Sequence, residues 1–416
     1  MIKLDFVSTL AAAGLVLFGG YALVRRLPVL ARYNVPAPVV GGLAVALAVT
    51  GTRLLGLDAV AFDTTLQSPL MIAFFTSIGF GASLALLRSG GPAVALFLGL
   101  STVVAVAQNL AGGAVASALG VPPLLGVLAG SVALTGGPAT ALAFAPLFEQ
   151  AGVAGAATLG VASAMVGIVS GGIIGGPIGT FLIERRGLRP GARNGPAHPD
   201  APTAAEAVLA QAPPDPVPAA VAGEDPGARA LLKGVVVLVA AMAAGSWLSG
   251  WLNARLAGWG MTLPAYIGAM LAAAAARNLD DATGWIRLPL RLLDDLGNAA
   301  LALFIAMALM TLKLWELQNL ALPLLVIVLA QVALVTLVCF WPTFRMMGRD
   351  YDAAVMSSGF CGFMLGTTAN AMANMGVLTE KYGPAPRAYL VVPMVGAFFI
   401  DFTNAIIITA FLNLWR

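Results

Sequence analysis

The sequence predicts an all-α polytopic membrane protein made of two inverted repeats of five transmembrane helices, each repeat carrying a re-entrant hairpin. Three observations predict it. Hydrophobic residues make up 59% of the 416 positions and charged residues only 10%, with a mean hydropathy of +0.91. A water-soluble chain of this length does not have that balance. Two glycine-rich stretches, Gly130 to Leu147 (GSVALTGGPATALAFAPL) and Ser357 to Met375 (SSGFCGFMLGTTANAMANM), carry hydroxyls and amides where a spanning helix would carry Leu, Ile and Val. Finally, the two halves match in order at a nearly constant offset.

Taken from the N-terminus, the first apolar run covers Phe6 to Val24, and Arg25 and Arg26 follow it rather than precede it. That order reads as a retained span rather than a secretory signal. Further spans are expected at Pro36 to Leu55, Pro69 to Leu87 and Pro92 to Leu119, each near the roughly 20 residues that a bilayer core requires. The first hairpin, about 123–148, comes next, and a span from Val153 to Ile183 completes repeat 1–186. Residues 187–228 change character, with nine prolines, the one histidine His198 and scattered acids. Such a segment has too little apolar surface to fold alone and is read as a solvated cytoplasmic linker.

The second repeat, 229–416, restarts the pattern with spans at Leu231 to Leu252, Leu263 to Ala276, Leu296 to Leu314 and Leu320 to Phe344. A second hairpin, about 353–380, and a last span from Tyr389 to Leu412 close it. Pro36-Ala37 answers Pro264-Ala265, Phe74 answers Phe304, Gly130 answers Gly359, and Gly137 answers Gly366; Met165-Val166-Gly167 answers Met394-Val395-Gly396. All lie 228 to 230 positions apart, the mark of a duplicated unit. Five spans is an odd number, so the two units must lie in opposite orientations. With the N-terminus outside, the inner loops collect 17 of the 22 Lys and Arg residues, as the positive-inside rule requires. Opposed broken segments in inverted repeats are an architecture of secondary transporters.

Backbone at membrane depth must be hydrogen-bonded, so glycine-broken polar segments occur there only inside protein or along a wet cavity. The hairpins therefore hold the candidate site. Thr135, Gly136, Gly137 and Thr140 in the first, and Gly366, Thr367, Thr368 and Asn370 in the second, are the candidate substrate-binding residues. Asn374, Asp401, Asn404, Gln108 and Asn109 are the candidate cation-binding residues. Asp401 lies in mid-span with Asn404 one turn away on the same face, and an intramembrane acid is functional by default. Oxygen-only ligands suit a hard cation such as Na⁺, while half-helix N-termini suit an anion. Lys313, Trp315 and Glu316 read as an interfacial anchor. Arg387 reads as a cytoplasmic anchor, with contact to an anionic solute as the other reading. Two cysteines, Cys339 and Cys361, and a single histidine supply neither a disulfide framework nor a transition-metal site, and the chain is not read as an enzyme or as needing a cofactor.

The second hairpin and last span, GFCGFMLGTTANAMANM followed by GPAPRAYLVVPMVGAFFIDFTNAIII, resemble the bacterial sodium/glutamate symporter family. The resemblance covers nearly the whole chain, including YNVPAPVVGGL, PLMIAFFTSIGFGA, QNLAGG, LAGSVALTGG, ALFIAMALMTLKLWEL and MMGRDYDAAV. It implies a bacterial inner-membrane protein importing L-glutamate with Na⁺ as coupling ion, similar to elevator transporters that form homodimers. Two stretches depart from the family pattern. Gly136-Gly137-Pro138-Ala139-Thr140 stands where Gly-Gly-His-Gly-Thr is common, and Met364-Leu365-Gly366-Thr367-Thr368-Ala369-Asn370 replaces a Gly-Leu-Gly-Ala-Thr-Pro pattern. Alternatives are a symporter for another small organic anion, proton coupling through Asp401, and a passive channel whose filter is formed by the opposed hairpins.

Overall fold

This structure, a computed structural model, describes residues 2–32, 35–55, 60–190, 226–256, 263–312, 314 and 320–415. Most of the proline-rich linker, together with Lys313, Trp315 and Glu316, lies outside the described residues. Among the described residues the elements are helices joined by turns and irregular segments, apart from two-residue strands β1 (Ile2–Lys3) and β2 (Val60–Ala61), which pair in parallel.

The first half contains α1 (Phe6–Arg26), α2 (Pro28–Arg32), α3 (Ala37–Leu54), α4 (Gln67–Gly81), α5 (Leu84–Ser89) and α6 (Gly91–Ala118). Next come α7 (Pro123–Val127), which runs into a π turn at Leu128–Val132, then α8 (Gly137–Gln150) and α9 (Ala156–Arg186). The second half contains α10 (Pro226–Leu256), α11 (Ala265–Thr283), α12 (Leu290–Met310) and α13 (Ala321–Val338), the last extended by a π turn at Cys339–Thr343 and a final turn at Phe344–Met346. It closes with α14 (Tyr351–Met364), α15 (Thr368–Tyr382), α16 (Pro386–Met394), a π turn at Val395–Phe399 and α17 (Ile400–Leu414).

Seven of these helices are long and apolar enough to cross a bilayer: α1, α3, α6, α9, α10, α12 and the extended α13. The chain is thus a multi-pass membrane protein. Three expected spans take a different form. The third divides, because α4 stops at Ala82 (φ −81°, ψ 75°) and Ser83 caps α5 by accepting from Leu86 N at 3.1 Å. The polar end of α11 satisfies that break. Asn278 donates to the Ala82 carbonyl (2.9 Å) and accepts from Leu84 N (2.8 Å), while the Ser83 hydroxyl donates to Asp281 (2.5 Å). This is why α11 continues seven residues past the expected end at Ala276. The last span is assembled from α16, a π turn and α17.

The helices sort into two groups. The first contains α1, α3, α4, α10, α11 and α12, and the second contains α6 to α9 and α13 to α17; packing is extensive within each group and thin between them. Both halves contribute helices to each group. Glycine allows close crossings within the first. A Cβ on Gly41 of α3 would strike the Val16 carbonyl of α1, and one on Gly245 of α10 would strike the backbone of Ala269 in α11.

Close approach through small residues, rather than apolar burial, drives helix association in lipid. The tightest case is α6 against α7, where a Cβ on either Gly112 or Gly126 would collide with the carbonyl of the other. Gly126→Val is expected to lower the unfolding temperature in detergent, with a cost of about 1–3 kcal/mol from overpacking. Gly14→Val, where nothing lies within 4 Å of the added Cβ, serves as the reference and is expected to leave the melting profile unchanged.

Candidate functional site

The candidate site is built where the helix pairs α7–α8 and α14–α15 meet. In the first, α7 does not continue into α8 because Gly130 adopts φ −96°, ψ −126°, outside the helical region. In the second, α14 ends at Met364, and α15 starts afresh with Thr367 as its N-cap, the hydroxyl accepting from Asn370 N at 3.3 Å. The tips touch. A Cβ on Gly137 would sit 3.5 Å from the carbonyl oxygen of Gly366, and Gly137 itself has φ +70°, a conformation that L side chains rarely adopt.

Buried broken backbone requires partners, and neighbouring helices supply them with amide side chains. Ser131, the residue after the break, donates its N–H to Asn109 Oδ1 (3.0 Å) from α6 and accepts on its carbonyl from Asn404 Nδ2 (3.0 Å) of α17. Gln108 bridges the two hairpins. Its Nε2 donates to the Met364 carbonyl (3.2 Å), and its Oε1 accepts from Thr135 Oγ1 (2.7 Å). Gln331 of α13 donates in turn to the Gln108 carbonyl at 2.6 Å. Gln108, Asn109 and Ser131 are completely buried, and Gln331 and Asn404 are 1% exposed.

The second hairpin leans on α9. Asn370 Nδ2 donates to the Ile168 carbonyl (2.8 Å), Asn374 Nδ2 to the Gly171 carbonyl (3.0 Å) and the Ser358 hydroxyl to the Gly175 carbonyl (2.8 Å). Thr368 donates to the Gly396 carbonyl (2.9 Å) in the last π turn. The approach depends on Gly167, Gly171, Gly175 and Gly179, spaced four apart along α9, whose added Cβ atoms would meet Leu365, Leu365, Asn374 and Leu378 respectively.

Several buried polar atoms are left without a partner among the described residues. They are Ser131 Oγ, Asn404 Oδ1, Asn109 Nδ2, Asn370 Oδ1 and Gln331 Oε1. The first three belong to the residues that hydrogen-bond to one another around the Gly130 break. Leaving a buried polar group unpaired costs about 1–3 kcal/mol, so this cluster is poised for a ligand that accepts oxygen lone pairs and offers acceptors to an N–H. Asp401, one turn before Asn404, is partly buried and makes no hydrogen bond or ion pair among the described residues.

The structure thus brings Thr135, Gly137, Gly366, Gln108, Asn109 and Asn404 to one junction, with Asn370 and Asn374 alongside on the α9 face. Thr140 is 6% exposed and packs beneath Gly136. Arg387 lies elsewhere, donating to Asp350 at 2.9 Å and to the Met347 carbonyl at 2.6 Å, and so anchors the base of α14. Among the described residues no His, Cys, Asp and Glu cluster could hold a metal ion. Sequence reasoning did not single out Ser131, Ser358 or Gln331. The glycines of α9 were legible as a four-residue period, the usual signature of close helix packing.

The chain matches the family model described as Sodium/glutamate symporter over residues 2–384. It is 41% identical over 415 residues to the sodium/glutamate symporter of Escherichia coli (strain K12), covering 100% of this chain and 99% of that protein. The protein of the same name in Haemophilus influenzae is 38% identical over 403 residues, covering 95% of this chain and 94% of the relative. The chain belongs to the sodium/glutamate symporter family.

Proposed function

We propose that the chain is a Na⁺-coupled symporter that imports L-glutamate across the bacterial inner membrane, acting as a transporter and not an enzyme. The observation that carries the proposal is the junction of two glycine-broken hairpins whose equivalent positions meet. Thr135 and Met364 are equivalent at the repeat offset, and Thr135 Oγ1 lies 3.9 Å from Met364 Sδ. Gly137 and Gly366 are likewise equivalent, and a Cβ on Gly137 would lie 3.5 Å from the Gly366 carbonyl oxygen. Contact between equivalent residues is what a two-fold axis between inverted repeats produces, so these pairs support opposed re-entrant hairpins with their tips at mid-membrane. The relatives' printed name supplies the solutes.

In this reading the solute lies at the tips, among Thr135, Gly136, Gly137, Thr140, Gly366, Thr367, Thr368 and Asn370. Its carboxylates face the half-helix N-termini of α8 and α15, where free N–H groups and the helix dipole favour an anion. Na⁺ lies beside the Gly130 break, held by Ser131 Oγ, Asn404 Oδ1 and the Asp401 carboxylate. Gln108 and Asn109 set the spacing between the ion and the tips, and Asn374 seats α15 on α9. No step in the cycle requires a cofactor.

The thin contact between the two helix groups supports an elevator motion, in which the hairpin-bearing group slides against the other. The group made of α1, α3, α4, α10, α11 and α12 would then be the fixed scaffold and would form the homodimer contact. The distribution of positive charges supports an N-terminus outside and a central linker in the cytoplasm.

Uptake of radiolabelled L-glutamate into proteoliposomes is expected with an inward Na⁺ gradient and not with choline. Uptake driven by a pH gradient alone would move the coupling to protons, and passive flux in choline would make the protein a channel. Asn404→Ala removes one ion ligand and leaves the Ser131 carbonyl unpaired. It is expected to raise the half-saturating Na⁺ concentration roughly tenfold, the worth of one such interaction, whereas an Asp401→Asn protein retaining full Na⁺ dependence would refute the role of that carboxylate. Gly175→Ala, which places a methyl against Asn374 Nδ2, is expected to reduce uptake by an order of magnitude or more at unchanged protein level, since misplacing a binding group by about 1 Å costs roughly a hundredfold.

A further inference from the structure

A cavity of about 550 Å³ lies away from the hairpin tips, between the two helix groups. Its walls come from the start of α4, from α8 and the first turn of α9, and from the start of α11 and the end of α12; none of Thr135, Gly137, Thr140 or Gly366 lines it. It opens at the end of the bundle that carries the N-terminus, because β1 pairs with β2 directly before α4, and Thr9 Oγ1 accepts from Asp63 N there.

Two donors in this cavity have no partner among the described residues. Tyr266, 3% exposed, leaves its hydroxyl unpaired, and Gln67 leaves its buried Nε2 unpaired. Both line the cavity. The Tyr266 ring is held rigidly, stacked on Phe75 with centroids 4.9 Å apart and edge-on to Phe144 at 5.1 Å, so the hydroxyl cannot swing away to find a partner. Ser68, Thr158 and Thr311 add hydroxyls, and Met71, Ile72 and Phe304 supply apolar wall. The one ionisable acid in the lining is Glu149, exposed near the end of α8.

Unpaired donors call for an acceptor, and a lone carboxylate calls for a cation. A carboxylate on Gln67 Nε2 and the Tyr266 hydroxyl, with an ammonium group towards Glu149, satisfies both at once. We propose that this cavity is a second amino-acid site, an outer subsite that binds the zwitterionic head of the transported solute before it reaches the hairpin tips. The inference rests on the reading of the chain as an amino-acid transporter. It adds a place where solute binds without the coupling ion, because no residue assigned to Na⁺ lines this cavity.

The test uses purified full-length protein bearing Ser68→Cys, with Thr64→Cys as an independent second position; both residues are exposed and line the cavity. Cys339 and Cys361 are buried and remain in place. Labelling by a charged maleimide is followed in Na⁺-free choline medium with increasing L-glutamate. Saturable protection at both positions is expected, and Tyr266→Phe is expected to raise the half-protecting concentration roughly tenfold, the loss expected for one hydrogen bond to a charged group. Protection that is absent in choline, that appears only with Na⁺, or that is unaffected by Tyr266→Phe would overturn the proposal. Those results would mean that the cavity holds water only or that labelling reports movement of the tips. Uptake by the same proteins keeps the two readings apart. Na⁺-driven uptake without protection refutes the outer site alone, and protection without Na⁺-driven uptake refutes the symport reading alone.

Discussion

Every buried backbone N–H and C=O needs a protein partner, and the structure answers that demand where a helix is interrupted in the buried interior. At Gly130 the chain leaves helical geometry, and both backbone groups of Ser131 are taken up by side-chain amides from different spans, Asn109 of α6 and Asn404 of α17. Neither amide can be replaced by an aliphatic residue without orphaning a buried backbone group. Gln108 performs the corresponding task between the hairpins, and Gln331 holds the Gln108 carbonyl. These buried polar residues are therefore the structural price of breaking helices in the interior.

That constraint also explains the distribution of glycine. Gly112 and Gly126 allow α6 and α7 to approach at backbone distance, which brings Asn109 within reach of Ser131. The stripe from Gly167 to Gly179 does the same for α9 and the second hairpin, placing the Ile168, Gly171 and Gly175 carbonyls against Asn370, Asn374 and Ser358. In both cases the glycine brings a backbone close enough for an amide or hydroxyl to cap it. Packing and polar satisfaction are one device here, not two.

Much of this was legible in the sequence. Composition gave the class, and the two polar stretches marked the places where helices break; that Thr135 lies against Met364 is visible only in the structure. The rest depended on information that hydropathy does not carry. The third span reads as continuous from Pro69 to Leu87, yet it divides at Ala82 because Asn278 and Asp281, almost 200 positions away, cap the break. Ser131 is one small hydroxyl among many, and its importance arises from Asn404, 273 positions later. Gln331 sits in a strongly apolar helix and reveals its partner only in three dimensions. Local pattern identifies a break; which distant side chain repairs it is a tertiary fact.

The hydrogen-bond chain at the junction also gives a physical route for coupling in the proposed cycle. A cation at Ser131 Oγ and Asn404 Oδ1 would draw together the same two residues that already share a hydrogen bond across the Gly130 break. Three residues separate Ser131 from Thr135, whose hydroxyl donates to Gln108, and the Gln108 amide in turn holds the Met364 carbonyl at the end of α14. In the proposed cycle, ion occupancy on one side of this chain would therefore fix the spacing of the two tips on the other. Affinity gained for the solute when the ion is bound must be matched by an equal gain for the ion when the solute is bound. Two solutes linked through so few atoms, all buried, can exchange free energy without any large rearrangement at the site, leaving the wider motion to the thin contact between the helix groups.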